Sequence, residues 1–301
     1  MSAPAASKLP SVTRTVILAN GVTMPRMGFG CAMVDGSEQE RAVHAALQAG
    51  FRLFDNASLY DNEEGIGRAL RSGGVPRDQL FVSSKLRNRE QGYDLALKGF
   101  DGSLKRLGFD YLDLYLIHWP MPRRNLFVDT WRALERLYDE KLVRAIGVSN
   151  FEQHHLDVLL AHCNVRPMVN QMEFNPYLAI LPLREYCASN DIQVEAWFPL
   201  GGPAGEGLGP KRPDTDRVRP TEHPTIVDIA RERGRTPAQV VLRWELQSGV
   251  IPLPKSARPE RIVENFQAFD FELTAGDMAR IDLLDCDGRM GPAPDDCHDM
   301  F

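Results

Sequence analysis

Long apolar runs are missing from this 301-residue chain. None approaches the ~20 residues that a membrane-spanning helix requires. The first stretch, MSAPAASKLPSVTR, has no apolar segment of the secretory kind. A cytoplasmic location without membrane attachment is therefore expected. Cysteine is sparse: Cys31, Cys163, Cys187, Cys286 and Cys297 are scattered, odd in number and form no CxxC. That pattern argues against a disulfide framework and against a zinc centre, and no metal is expected. Positive charge is in deficit, with 35 Lys and Arg against 41 Asp and Glu. The resulting net charge of −6 argues against general nucleic-acid binding, which needs a basic face. No GxGxxG follows the first strand, which excludes a Rossmann-type dinucleotide site.

What is present is the composition of a globular protein, 43% hydrophobic and 25% charged. Residues 1–12 read as a frayed tail. TVILANGVTM reads as a hairpin, with Asn20-Gly21 as a two-residue type I′ turn. Strand and helix signals then alternate. The strands are RMGFG, FRLFD, LFVSSK, YLDLYLIH, RAIGVS, PMVNQ, QVEAWF and VIPLPK. Eight such units fit one domain over 1–301, a (β/α)8 barrel with an N-terminal hairpin and extended loops at the C-terminal face. The helices carry their own start signals. Ser37 with Glu40, Thr236 with Gln239 and Thr274 with Asp277 have capping-box spacing. Gly50 and Gly234 suit the position after a helix end. Residues 201–224, rich in Pro, Gly and charge, read as a long loop over the barrel mouth.

Four titratable residues fall at or just past strand ends: Asp55, Tyr60, Lys85 and His118. A barrel gathers the C-terminal ends of its strands at one mouth. Together these groups suit carbonyl reduction, in which hydride addition makes an alkoxide that needs a proton. A free phenol, with pKa about 10, is a reluctant donor. A nearby ammonium lowers that pKa, and a carboxylate holds the ammonium in place. An imidazole can polarise the carbonyl. Tyr60 is then the general acid, Lys85 and Asp55 tune it, and His118 orients the substrate. Each residue also has an ordinary reading. Lys85 could snorkel, His118 could be a satisfied core histidine, Asp55 could form a turn and Tyr60 could simply pack.

The chain closely resembles the aldo-keto reductases. The resemblance rests on GFRLFDNASLYDNEEGIGRAL, FVSSKL, YLDLYLIHWP, AIGVSNF, VNQMEFNPYL and IPLPKSARPERIVENF, in family order. It implies an NADPH-dependent barrel with a Tyr–Lys–His–Asp tetrad, here Tyr60, Lys85, His118 and Asp55. It further implies that Ser149, Asn150 and Gln171 hold the nicotinamide carboxamide. Asn150 could equally cap the helix that follows. Trp197 would stack on the nicotinamide, with Pro199 and Leu200 beside it among the cofactor contacts. Lys255, Ser256 and Arg261 would bind the adenosine 2′-phosphate, and Glu264 and Asn265 the adenine. The substrate would be a small aldehyde, ketone or diketone, met by Ala32 and Trp119. The short GPAPDD tail resembles that of bacterial members acting on diketo-sugar acids.

Four positions depart from the family pattern. Cys31-Ala32 replaces a threonine and a bulky aromatic, which implies a roomier substrate site. Phe198 stands for the usual serine, and Asn175 for a common histidine. Arg123-Arg124 reads as a solvated pair. The rival class is a nucleotide-binding regulatory subunit without turnover. A monomer is expected.

Overall fold

The computed structural model describes residues 12–297, except 33, 35 and 203–217. The expected tail over 1–12, apart from Val12, and most of the expected loop over 201–224 lie outside the described residues.

A hairpin comes first, β1 (Thr15–Ile17) against β2 (Thr23–Pro25), with Val16 opposite Met24. Its turn is not type I′. Gly21 has φ +85° but Asn20 stays out of the left-handed region. Gly21 N donates to Leu18 O at 2.8 Å, and Leu18 N donates to Val22 O at 2.9 Å, so the loop is longer by a bulge. Asn20 serves the turn through its side chain, whose Oδ1 accepts from Val22 N at 3.2 Å.

Eight strands then follow: β3 (Gly28–Gly30), β4 (Leu53–Asp55), β5 (Phe81–Leu86), β6 (Leu112–Ile117), β7 (Val143–Ser149), β8 (Val169–Glu173), β9 (Gln193–Trp197) and β10 (Ile251–Pro252). Each pairs in parallel with its sequence neighbours, in the order β3 to β10. Past the end of β10, Gly30 N donates to Pro254 O at 3.1 Å, which brings the last strand back to the first. The architecture is a (β/α)8 barrel. Its strands are buried on both sides, hence the near-continuous apolar runs in the sequence.

The helices are α1 (Ser37–Ala49), α2 (Glu63–Ser72), α3 (Tyr93–Leu107), α4 (Phe127–Asp139), α5 (Gln153–Leu160), α6 (Leu181–Ser189), α7 (Pro224–Arg233), α8 (Pro237–Gln247), α9 (Pro259–Phe266) and α10 (Ala275–Asp282). Capping boxes close the starts of α8 and α10 as expected, from Thr236 with Gln239 and Thr274 with Asp277. Helix α1 differs: Gly36 occupies the N-cap, so Ser37 and Glu40 sit one position too late for a box. Gly50, at φ +108°, and Gly234, at φ +60°, terminate α1 and α7. Among the described residues, no helix is long and apolar enough to cross a membrane.

Candidate active site

Asp55 is the last residue of β4, Lys85 is next to last in β5 and His118 directly follows β6. Tyr60 ends a short helical turn, Ser58–Tyr60, between β4 and α2. The barrel brings all four together. Lys85 Nζ lies 2.6 Å from Asp55 Oδ2, 2.9 Å from Asn56 O and 3.5 Å from Tyr60 Oη. The Tyr60 and His118 rings meet edge to face, with centroids 6.0 Å apart. Lys85 is fully buried, and Asp55 and His118 nearly so.

A buried charge this deep survives only when its neighbours satisfy it. Asp55 Oδ1 accepts from Ser83 Oγ at 2.9 Å and from Gln171 Nε2 at 3.1 Å. Burial alone would lower the Lys85 pKa, but Asp55 and Tyr60 outweigh it, so the ammonium stays charged. Burial, then the Lys85 and Arg87 charges, holds the His118 imidazole well below 6.5. It is neutral at physiological pH. The phenol corrects the expectation from sequence. Lys85 does pull the Tyr60 pKa down, but burial pushes it up and wins, so the net shift is upward. Tyr60 therefore keeps its proton at neutral pH.

A second group packs beside the tetrad. Asn150 Nδ2 donates to His118 O at 3.0 Å and to Ser149 Oγ at 3.1 Å. Its Oδ1 accepts from Trp197 Nε1 at 2.8 Å. Asn150 is thus not the helix cap that was the alternative, because Glu152 occupies the N-cap of α5. Trp197 ends β9 and keeps part of its surface exposed. Pro199 and Leu200 form the turn after it, where Gly201 N donates to Phe198 O at 2.9 Å. Phe198, at φ +51°, packs its ring edge-on to Trp197 with centroids 4.9 Å apart.

The far side of the mouth is built by Trp119, Met121 and Cys297, against which Trp197 packs. The Trp119 and Trp197 rings are 6.3 Å apart. Ala32 stands after β3, half-buried, next to the fully buried Cys31. The C-terminal segment closes over this group. Met290 N and Gly291 N donate to the Glu173 carboxylate at 2.7 and 2.8 Å. Gly291 passes so close to Trp197 that a Cβ there would come within 2.4 Å of the indole. Arg123 is exposed, whereas Arg124 donates to Asn88 O, so the expected solvated pair is half pinned.

Lys255, Ser256, Arg261, Glu264 and Asn265 form a third group, in the loop after β10 and on α9. The Gly30–Pro254 bond sets this loop against the end of β3, one strand from Asp55. Lys255, Arg258 and Arg261 surround the start of α9, and among the described residues none pairs with a carboxylate. Ser256 Oγ accepts from Arg258 N at 3.1 Å. Glu264 Oε1 accepts from Thr236 Oγ1 at 2.7 Å, so one oxygen of that carboxylate is committed within the fold.

Three contributors escaped the reading of the sequence. Asn56 acts through a backbone carbonyl, which no motif reveals. Ser83 faces the same way as Lys85, two residues on, but serine in a strand carries little signal. Glu195 is the third. It is fully buried in β9, accepts from Gln171 Nε2 at 3.0 Å, and has its pKa pushed up to about 8, first by burial and then by Asp55. Its one sequence signal was a charge between the apolar Val194 and Ala196 of a strand.

The profile of the Aldo/keto reductase family matches residues 26–285. The glyoxal reductase of Bacillus subtilis is 47% identical over 287 residues, 95% of this chain and 98% of that protein. The 9,11-endoperoxide prostaglandin H2 reductase of Trypanosoma cruzi is 45% identical over 281 residues, covering 93% of this chain and 94% of that one. Among solved structures, a Bombyx mori aldo-keto reductase in complex with NADP superposes with a TM-score of 0.82. It is 32% identical, over 92% of this chain and 94% of its own.

Proposed function

The chain belongs to the aldo/keto reductase family, and from that premise we propose that it reduces the carbonyl of a small aldehyde, ketone or diketone, with Tyr60 as the general acid. The carrying observation is the buried relay in which Lys85 Nζ contacts both Asp55 Oδ2, at 2.6 Å, and Tyr60 Oη, at 3.5 Å. A module that only bound nucleotide would gain nothing from an ammonium pressed between a carboxylate and a phenol.

The cofactor is NADPH, which supplies the hydride when bound. The residues present fit it. Three unneutralised cations at a helix start suit a 2′-phosphate, because helix N–H groups and guanidinium forks both favour phosphate oxygens. Lys255, Ser256 and Arg261 would hold that group, and Glu264 and Asn265 the adenine. Trp197 offers a part-exposed indole for the nicotinamide, with Pro199 and Leu200 alongside. Ser149, Asn150 and Gln171 would bond its carboxamide.

The chain's own groups handle the substrate and the proton. His118, being neutral, donates a hydrogen bond to the carbonyl oxygen without adding a second cation beside Lys85. That bond and the Tyr60 hydroxyl fix the oxygen between them. As the carbon receives hydride, negative charge builds on the oxygen, and Tyr60 gives up its proton there. Lys85 stabilises the phenolate so formed, and Asp55 keeps Lys85 charged and in place. The phenol regains its proton from solvent. Net, the carbonyl gains one hydride and one proton and leaves as an alcohol.

Ala32 and Trp119 would border the substrate. The small Ala32 leaves room there, and the resemblance to a glyoxal reductase supports a compact dicarbonyl. We place the reaction in the cytoplasm, a setting that suits five scattered cysteines with no CxxC among them. The test is loss of NADPH absorbance with a panel of glyoxals, short aldehydes, ketones and diketones. Turnover of at least one class is expected. Binding of NADPH with no turnover across the panel would overturn the reading in favour of a regulatory subunit.

A further inference from the structure

Gln171 and Glu195 face each other across β8 and β9. Gln171 Nε2 donates to two carboxyl groups at once, Asp55 Oδ1 at 3.1 Å and Glu195 Oε2 at 3.0 Å. A primary amide has two N–H donors and one carbonyl acceptor. Both donors are thus spent on the barrel's own carboxyls. Among the described residues nothing bonds Gln171 Oε1, which leaves an acceptor for a ligand. Turning the amide over would break the present bond to Glu195 Oε2, set the amide oxygen against the Asp55 carboxylate and forfeit that second bond.

Glu195 has little other business at this depth. It is fully buried, and among the described residues its Oε1 has no partner. Burying a carboxyl with half its bonding capacity unspent costs stability, and an apolar residue of similar volume would serve packing better. The charged and titratable groups that act on it are Asp55 from β4 and Lys85 from β5, with the Gln171 amide from β8. Burial keeps its proton on at neutral pH. It can therefore accept from Gln171 without setting a second full negative charge against Asp55 and Tyr60.

We propose that Glu195 is a positioning residue: with Asp55 it locks the Gln171 amide so that Oε1 faces the carboxamide N–H of the nicotinamide, which fixes the face of the ring turned to the carbonyl. This deepens the assignment of Gln171 as a carboxamide contact and rests on it. Glu195 itself touches neither substrate nor cofactor.

The test compares binding of NADPH with that of its 3-acetylpyridine analogue, which carries a carbonyl but no carboxamide N–H. Dissociation constants are read by calorimetry on wild type, Glu195→Met, Glu195→Gln and Gln171→Leu. Wild type should prefer NADPH by roughly tenfold, the worth of about one hydrogen bond. Glu195→Met frees the amide to turn and donate to the acetyl oxygen, so the preference should fall to near unity. Glu195→Gln keeps an acceptor opposite Gln171 and should restore it. Hydride transfer from NADPH deuterated at either C4 position should lose face selectivity in the Met variant alone of the two. Should the Met variant not fold, Glu195→Val, suited to a strand, repeats the measurement. A Met or Val variant with the full preference, beside a Gln171→Leu variant that has lost it, overturns the role of Glu195 and leaves Gln171 as assigned. A Gln171→Leu variant with the full preference overturns both. A Gln variant as impaired as the Met variant also overturns the proposal, because the lost acceptor would not then be the cause.

Discussion

Lys85 Nζ stands 2.6 Å from Asp55 Oδ2, and both side chains are buried at the ends of neighbouring strands. Taking two charges out of water costs several kcal/mol for each, and their attraction offsets this only when the remaining bonding positions are filled. Here they are. The Asn56 carbonyl accepts from Lys85, and Ser83 and Gln171 donate to Asp55. The pair is therefore held by its surroundings as much as by itself.

Removing one partner should then be worse than removing the attraction alone. Lys85→Met leaves the Asp55 carboxylate buried and uncompensated, and is expected to cost about 3–5 kcal/mol in denaturant unfolding. Carbonyl reduction should be lost with it. A loss below about 1 kcal/mol would show the pair to be solvated in a way the burial does not allow.

Tyr60→Phe removes only the hydroxyl. The ring contact with His118 stays, and no other described bond depends on that oxygen besides the one from Lys85. Reduction should fall by about 10²- to 10⁴-fold in kcat, the usual worth of a general acid. NADPH affinity should stay within about twofold, read by fluorescence titration. Near-normal turnover in this variant would remove Tyr60 from the role of proton donor.

Arg261→Ala addresses the start of α9. A charge-assisted bond to phosphate is worth about 1.5–3 kcal/mol, or roughly a 10- to 100-fold change in affinity. The KM for NADPH should rise by that factor while the KM for NADH hardly moves, since NADH has no 2′-phosphate. Equal losses for the two nucleotides would place the phosphate elsewhere.

The frame was legible because buried parallel strands read as apolar runs that end in a polar residue. Asp55, Lys85 and His118 each ended such a run. Caps on α8 and α10 were legible because a capping box is local: Thr236 and Thr274 bond residues three positions on. What stayed hidden depends on distance rather than pattern. The hairpin was foreseen but its turn was not, since an added bulge residue moved the positive φ to Gly21 alone. The net pKa of Tyr60 weighs burial against an ammonium 3.5 Å away, and no spacing in the sequence contains that balance. Glu195 lay in QVEAWF, which read simply as a strand, and its partner Gln171 is 24 residues away in the chain.

Glu195 also gives stability a pH dependence whose sign can be worked out. Its carboxyl titrates near 4.5 when solvated and near 8 in the fold. Below about pH 4.5 both states hold the proton, and no dependence arises. Between about 4.5 and 8 the folded state keeps the proton that the unfolded chain has released. Folding then takes up a proton, so stability falls as pH rises through this window, by a few kcal/mol in order of magnitude. Above about 8 the folded state ionises too and the slope vanishes. Glu195→Gln removes the titrating group and keeps an acceptor for Gln171. The variant's thermal midpoint relative to wild type should therefore be several degrees higher at about pH 8.5 than at about pH 5. Scanning calorimetry at the two pH values reads this difference. A difference that stays constant with pH would mean that Glu195 is ionised in the fold at neutral pH, with Lys85 close enough to hold its charge.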